Sequence, residues 1–309
     1  MTQPVAELSV VARRSSHQRM WLIVGCSGPL AAVFVFLFVM GWLAPKVILG
    51  RHWPQSQWLP LDQIPHDAWD ALLRRHVDEL GRIDYSAWRA STTDLAALDE
   101  YLALLSRGDP NRDVPRTARL AFWINAYNAL TVRGILREYP TSSIQNHMSR
   151  WGGYDIWRHL LLTVGDDDYS LGRIEHQLLR PLHEPRIHFA IVCGSRGCPR
   201  LRNGAYASSD LERQLDDNAR DFFADPQKLE FNRATGELRL SPIMKWYADD
   251  FGSDQSAMLK TITPYLHEDV ARQLNDRANV RIEYADYDWS LNGKDDGGAA
   301  DAPVPPDSP

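Results

Sequence analysis

The 309-residue chain lacks an internal repeat, a phosphate-binding loop and a glycine-rich dinucleotide fingerprint, so neither a solenoid nor a common nucleotide-binding motif accounts for it. A basic stripe with interleaved aromatics is also missing. Residues 1–51 carry five cations against Glu7 alone, a net of +4, which leaves −10 for the remainder of a chain whose formal total is −6. A folded part that acidic is poorly suited to displacing counterions from phosphates, and no nucleic-acid partner is expected. Cysteine is scarce, with three in the whole chain. What is present is a globular composition, 44% hydrophobic and 24% charged, which sets aside disordered and fibrous classes.

One long apolar run stands out. Met20 to Ala44 is uncharged throughout and, at about 1.5 Å per helical residue, is long enough to cross a hydrocarbon core of about 30 Å. Trp21 and Trp42 lie near its ends, and Arg13, Arg14, His17 and Arg19 crowd its N-terminal flank. The run reads as a signal anchor in the lipid bilayer of a cell inner membrane. Residues 1–19 are then a cytoplasmic tail, 20–44 a single-pass transmembrane helix, and the C-terminal domain periplasmic or otherwise extracytoplasmic. A cleaved signal peptide would have a shorter apolar core and a small-residue cleavage site, which GWLAPKV does not offer.

Residues 45–66, rich in Trp, Pro and Gln, read as a juxtamembrane linker, with a globular domain over 67–291 and a disordered tail over 292–309. Apolar spacing predicts helices over AWDALLRRHVDEL and over Leu95 to Leu105. Ala118 to Arg137 is apolar nearly all round and predicts a centrally buried helix. On it Asn125 and Asn128 share a face, either as a polar clasp against a loop or as amide ligands in a cleft. Leu160 to Val164 predicts a strand, the Asp166 to Asp168 run a solvated turn, Asp210 to Phe223 a helix, Leu229 to Leu240 two strands, and Val280 to Tyr284 a last strand. The fold class expected is α+β, a mostly helical domain with a small, largely antiparallel sheet behind the membrane helix.

Residue types suited to chemistry concentrate between Ser170 and Tyr206. Ser170 is placed to cap a helix running to about Arg180, which puts Glu175 in the apolar arc and His176 away from it. A buried Glu175 either pairs with an arginine such as Arg133 or Arg186, or serves as an acid. Arg186 to Cys193 has the length and composition of a buried strand, on which His188 and Cys193 would face opposite ways. Cys193 and Cys198 admit three readings: a disulfide, a thiolate nucleophile activated by the turn's amides and nearby arginines, or, with His176 and His188, a zinc site of unusual spacing. No cofactor is otherwise implied.

The segments AFWINAYNAL, SLGRIEHQLLR, RIHFAIVCGSRGCPRLRNGAY, LSPIMKWYADDF and YDWSLN resemble the bacterial and plant family catalogued as domain of unknown function 547, from about Arg116 to Asn292. The resemblance implies a domain type and no established activity. Its motifs point to Asn125, Glu175, His176, His188, Cys193, Cys198, Lys245 and Asp250 as positions to test. Two functions stand open. One is a thiol-dependent hydrolase or transferase of envelope substrates, using Cys193 or Cys198 with His188 or His176 as base and Glu175 as orienting acid. The other is a non-catalytic periplasmic binding or scaffolding module with a Cys193–Cys198 disulfide.

Overall fold

In the computed structural model, residues 45–148, 154–277 and 280–294 are described. The run 20–44 lies outside them. Among the described residues no helix is long and apolar enough to cross a membrane, so the fold class is corrected to an α+β domain with small sheets, and the N-terminal transmembrane helix finds no support in them.

The helix Arg116–Glu138 is the axle of the larger core. Its sequence is apolar nearly all round, and it is buried along most of its length, from Leu120 and Phe122 through Asn125, Asn128 and Leu136. Each fully buried Leu, Ile or Phe contributes roughly 1.5–3 kcal/mol. Helices Asp67–His76 and Thr92–Leu105 pack with it in one cluster, where Trp69 stacks on Tyr101 at 5.9 Å and His76 on Trp88 at 4.5 Å. The first of these helices has Asp67 and Asp70 in its first turn and Arg74 and Arg75 in its last, in the sense the helix dipole favours. A second core gathers Phe189, Phe222, Phe223, Leu238, Leu240, Met244, Phe251 and Ile262. It lies between the helix Leu211–Ala224 and the C-terminal strands.

Strands β1 (Val47–Leu49), β2 (Leu59–Pro60), β3 (Gly108–Asp109), β4 (Leu160–Val164), β5 (Asp167–Ser170), β6 (Leu229–Asn232), β7 (Glu237–Leu240) and β8 (Arg281–Tyr284) form three small sheets. Only β4–β5 and β6–β7 are antiparallel. The pairings β1–β4, β2–β3 and β7–β8 are parallel, which corrects the expected single, largely antiparallel sheet. The two hairpins carry local turn signals. At β4–β5 Gly165 takes φ +65° and the aspartate run forms the turn and its exit. The parallel partners come from distant sequence and carry no such signal.

The stretch expected to be a linker is part of the domain. β1 pairs with β4, Leu61 and Ile64 are buried, and the Trp53 indole donates to the Ala103 carbonyl at 2.9 Å. The start of the expected tail is also built in. Asn292 is buried and accepts at Oδ1 from the Tyr85 hydroxyl at 2.8 Å. Residues 295–309 lie outside the described part.

Candidate functional site

Ser170 caps the predicted helix, its Oγ accepting from the Arg173 amide at 3.2 Å. Only Leu171–Arg173 is α-helical; the chain then widens into a π-helix, Ile174–Leu179, and tightens into a 3-10 turn, Arg180–Leu182. Such π segments recur at functional sites because the wide turn redirects side chains. Here Glu175 turns inward, 4% exposed, and His176 outward, as the apolar arc predicts. Neither expected arginine pairs with Glu175. Arg133 binds Asp99, and Arg186 binds Glu184, Glu212 and Asp216. Instead Glu175 Oε2 accepts from the Tyr127 hydroxyl at 3.3 Å, and Oε1 is buried without a hydrogen-bond partner. Burial first, and then Glu175, raise the pKa of Tyr127; the same causes in the same order raise that of Tyr247.

Arg186 to Cys193 is not a strand. A 3-10 turn occupies Pro185–Phe189, opened by Pro185 and by the Glu184 carboxylate, which accepts from the Arg186 amide at 3.3 Å. The reason lies in one asparagine of the central helix and one of the helix Leu211–Ala224. Asn128 donates to the Ala190 carbonyl at 2.9 Å and accepts from the Val192 amide at 3.0 Å, and Asn218 donates to the Phe189 carbonyl at 2.7 Å. These side chains meet the hydrogen-bonding demand that a β-ladder would otherwise have met, so β-rich composition loses to side-chain capture of the backbone. Asn125 does the same for Tyr206, donating to its carbonyl at 2.8 Å and accepting from its amide at 2.9 Å. The asparagine pair is a clasp.

The turn delivers His188 to Asp250, the His188 Nε2 donating to Asp250 Oδ2 at 2.7 Å, while its ring stacks on Tyr247 at 3.9 Å. Arg180 grips the same carboxylate, with Nε 2.6 Å from Oδ2 and Nη2 2.9 Å from Oδ1. It also sits 3.2 Å from His176 Nδ1. Burial lowers the His188 pKa, and the hydrogen bond to Asp250 only partly counters it. Asp250 is pushed up by burial, but Arg180 and His188 more than offset that and hold it below the usual carboxylate range. Lys245 is drawn elsewhere, over the Tyr284 ring at 6.0 Å.

Cys193 and Cys198 are disulfide-bonded, their Cα atoms 6.3 Å apart, across a turn that Gly194 enters at φ +81°. The Tyr287 hydroxyl donates to Cys198 Sγ at 3.2 Å, and Ser195 Oγ lies 3.0 Å from Cys193 Sγ. The loop is stitched to the C-terminal segment: Arg196 and Gly197 amides donate to the Ser290 and Asp288 carbonyls, and the Asn292 amide to that of Gly194. Gly197 is required, since a Cβ there would come within 2.8 Å of the Tyr287 ring.

The structure thus groups Glu175, His188 and Asp250 around Tyr247, and brings His176 to Arg180. It does not hydrogen-bond either histidine to either sulfur. Among the described residues no group of three or more His, Cys, Asp or Glu is placed to hold a metal ion, so the zinc reading of His176, His188, Cys193 and Cys198 finds no assembled ligand set. Sequence reasoning missed Tyr127, Arg180, Tyr247 and Tyr287 as members of the site. Arg180 closes SLGRIEHQLLR and Tyr287 opens YDWSLN, so the motifs contained the signal without the partners. Comparison with curated proteins and with solved structures gives no match. The motif resemblance is carried by a family model over a narrower span than the motifs themselves, one that ends before Tyr247, Asp250 and Tyr287: residues 111–223 match the family described as Protein of unknown function, DUF547.

Proposed function

We propose that the domain is a non-catalytic binding module whose site is organised by Glu175, with Tyr127, Tyr247 and the His188–Asp250–Arg180 chain as its polar frame. The observation that carries this reading is the buried Glu175 Oε1 without a donor. An unpaired buried acceptor costs about 1–3 kcal/mol, a deficit that a ligand hydroxyl or ammonium would relieve on binding. Such deficits are retained at functional sites and are uncommon elsewhere. The thiol-dependent hydrolase reading has weaker support, because one disulfide consumes both sulfurs and, among the described residues, no histidine hydrogen-bonds to either. A disulfide persists in oxidising, non-cytoplasmic compartments, and we place the domain in one.

Ligand-observed NMR with a panel of small hydroxyl- and amine-bearing fragments tests the site, comparing wild type with Glu175→Gln. Fragments that bind wild type and are lost in the variant support the reading. An identical set of binders in both proteins rejects it.

A further inference from the structure

Away from that site, the helix Leu211–Ala224 and the stretch after the disulfide border an open surface hollow of about 480 Å³ lined by Arg200, Arg202, Arg220, Asp217 and Asp221. Three guanidiniums face two carboxylates, and two of the guanidiniums are weakly engaged. Arg202 reaches Asp217 only at 4.0 Å, and that carboxylate is held at 2.6 Å by Arg213. Arg220 reaches Asp216 only at 4.0 Å, and that carboxylate is held at 2.6 Å by Arg186. Arg202 Nε is buried with no hydrogen-bond partner. Arg200, by contrast, is spent on the Asn218 side chain, the Glu79 carbonyl and Asp221.

A guanidinium presents five N–H donors in a planar fork and pairs best with oxyanions. Two under-used forks lining one hollow suit a tetrahedral anion, whose oxygens point in more directions than those of a planar carboxylate. Asp221 is paired with Arg200 at 3.2 Å, which offsets its charge toward an incoming anion. We propose that this hollow binds a phosphate-bearing ligand, with Arg202 and Arg220 holding the phosphate and the remaining volume taking the rest of the molecule.

The test is isothermal titration calorimetry of the full-length chain with inorganic phosphate near neutral pH, with sodium chloride at matched ionic strength and sodium acetate as controls. The expected result is one saturable phosphate site, weaker binding of acetate, and a loss of about tenfold or more in phosphate affinity in Arg202→Gln and in Arg220→Gln. The Arg220 side chain is 56% exposed, so its replacement leaves the core intact and keeps the test readable if Arg202→Gln folds poorly. Absence of saturable phosphate binding, equal affinity for acetate, or unchanged affinity in Arg220→Gln would overturn the proposal.

Discussion

Removing the Tyr127 hydroxyl tests whether Glu175 is held at a cost. In Tyr127→Phe, Glu175 loses the 3.3 Å donor at Oε2 while Oε1 is already unpaired, so the buried carboxyl is left with the Tyr247 phenol beside it. Leaving a buried acceptor unsatisfied costs about 1–3 kcal/mol, and the length of this bond favours the lower half of that range. For a domain of this size about 1 kcal/mol moves Tm by roughly 2–4 °C, so the single variant should melt about 2–8 °C lower. Adding Glu175→Met removes the carboxyl as well. Replacing both partners of a buried hydrogen bond by apolar groups of similar shape is near neutral or stabilising, so the double variant should recover wild-type stability or exceed it. Differential scanning calorimetry at neutral pH, supported by urea melts, reads all three proteins. A double variant less stable than Tyr127→Phe alone would refute the reasoning, because it would mean that Glu175 makes a net stabilising contact.

Asn128→Ala strips partners from the Ala190 carbonyl and the Val192 amide at once and should cost about 2–5 kcal/mol in denaturant melts; a loss under 1 kcal/mol would contradict the clasp. For pH, the folded His188 pKa lies below the unfolded value, so the native state binds fewer protons. Its contribution is fully present above about pH 6.5 and is lost as pH falls toward the folded pKa. Stability should therefore decline on acidification from about pH 6.5, and His188→Gln should flatten that decline. An unchanged slope in the variant would assign the acid sensitivity to other groups, and His66, held neutral by burial to about pH 4, is the first of these. Gly197→Ala should detach Tyr287 and expose the C-terminal segment to limited proteolysis; wild-type protease resistance would show that this contact does not secure it.

The central helix was legible because Ala118 to Arg137 is apolar nearly all round, its few arginines apart, and Glu175 was placed correctly because Leu171, Ile174 and Leu178 define a strong apolar arc. The conformation of His188 was not legible. Ile187, Phe189, Ile191 and Val192 favour a strand locally, and only the distant amides of Asn128 and Asn218 decide otherwise. Asp250 was singled out by its motif, but its link to Arg180 joins positions seventy residues apart, and no periodicity reports such a pair. The same holds for β1 and β8, whose parallel partners are set by tertiary packing. The cysteine pair was readable as a disulfide or as a reactive thiol, since five-residue spacing suits both.

That redox state is the most direct test of the functional account. The measurement is peptide mapping by mass spectrometry of native protein, alkylated near neutral pH before and after reduction. The account predicts a linked Cys193–Cys198 peptide, no alkylation at either position without reductant, and a stability loss on reduction of about 2 kcal/mol for so short a loop. Rapid alkylation of Cys193 or Cys198 in the unreduced protein would contradict it and would restore the thiolate nucleophile.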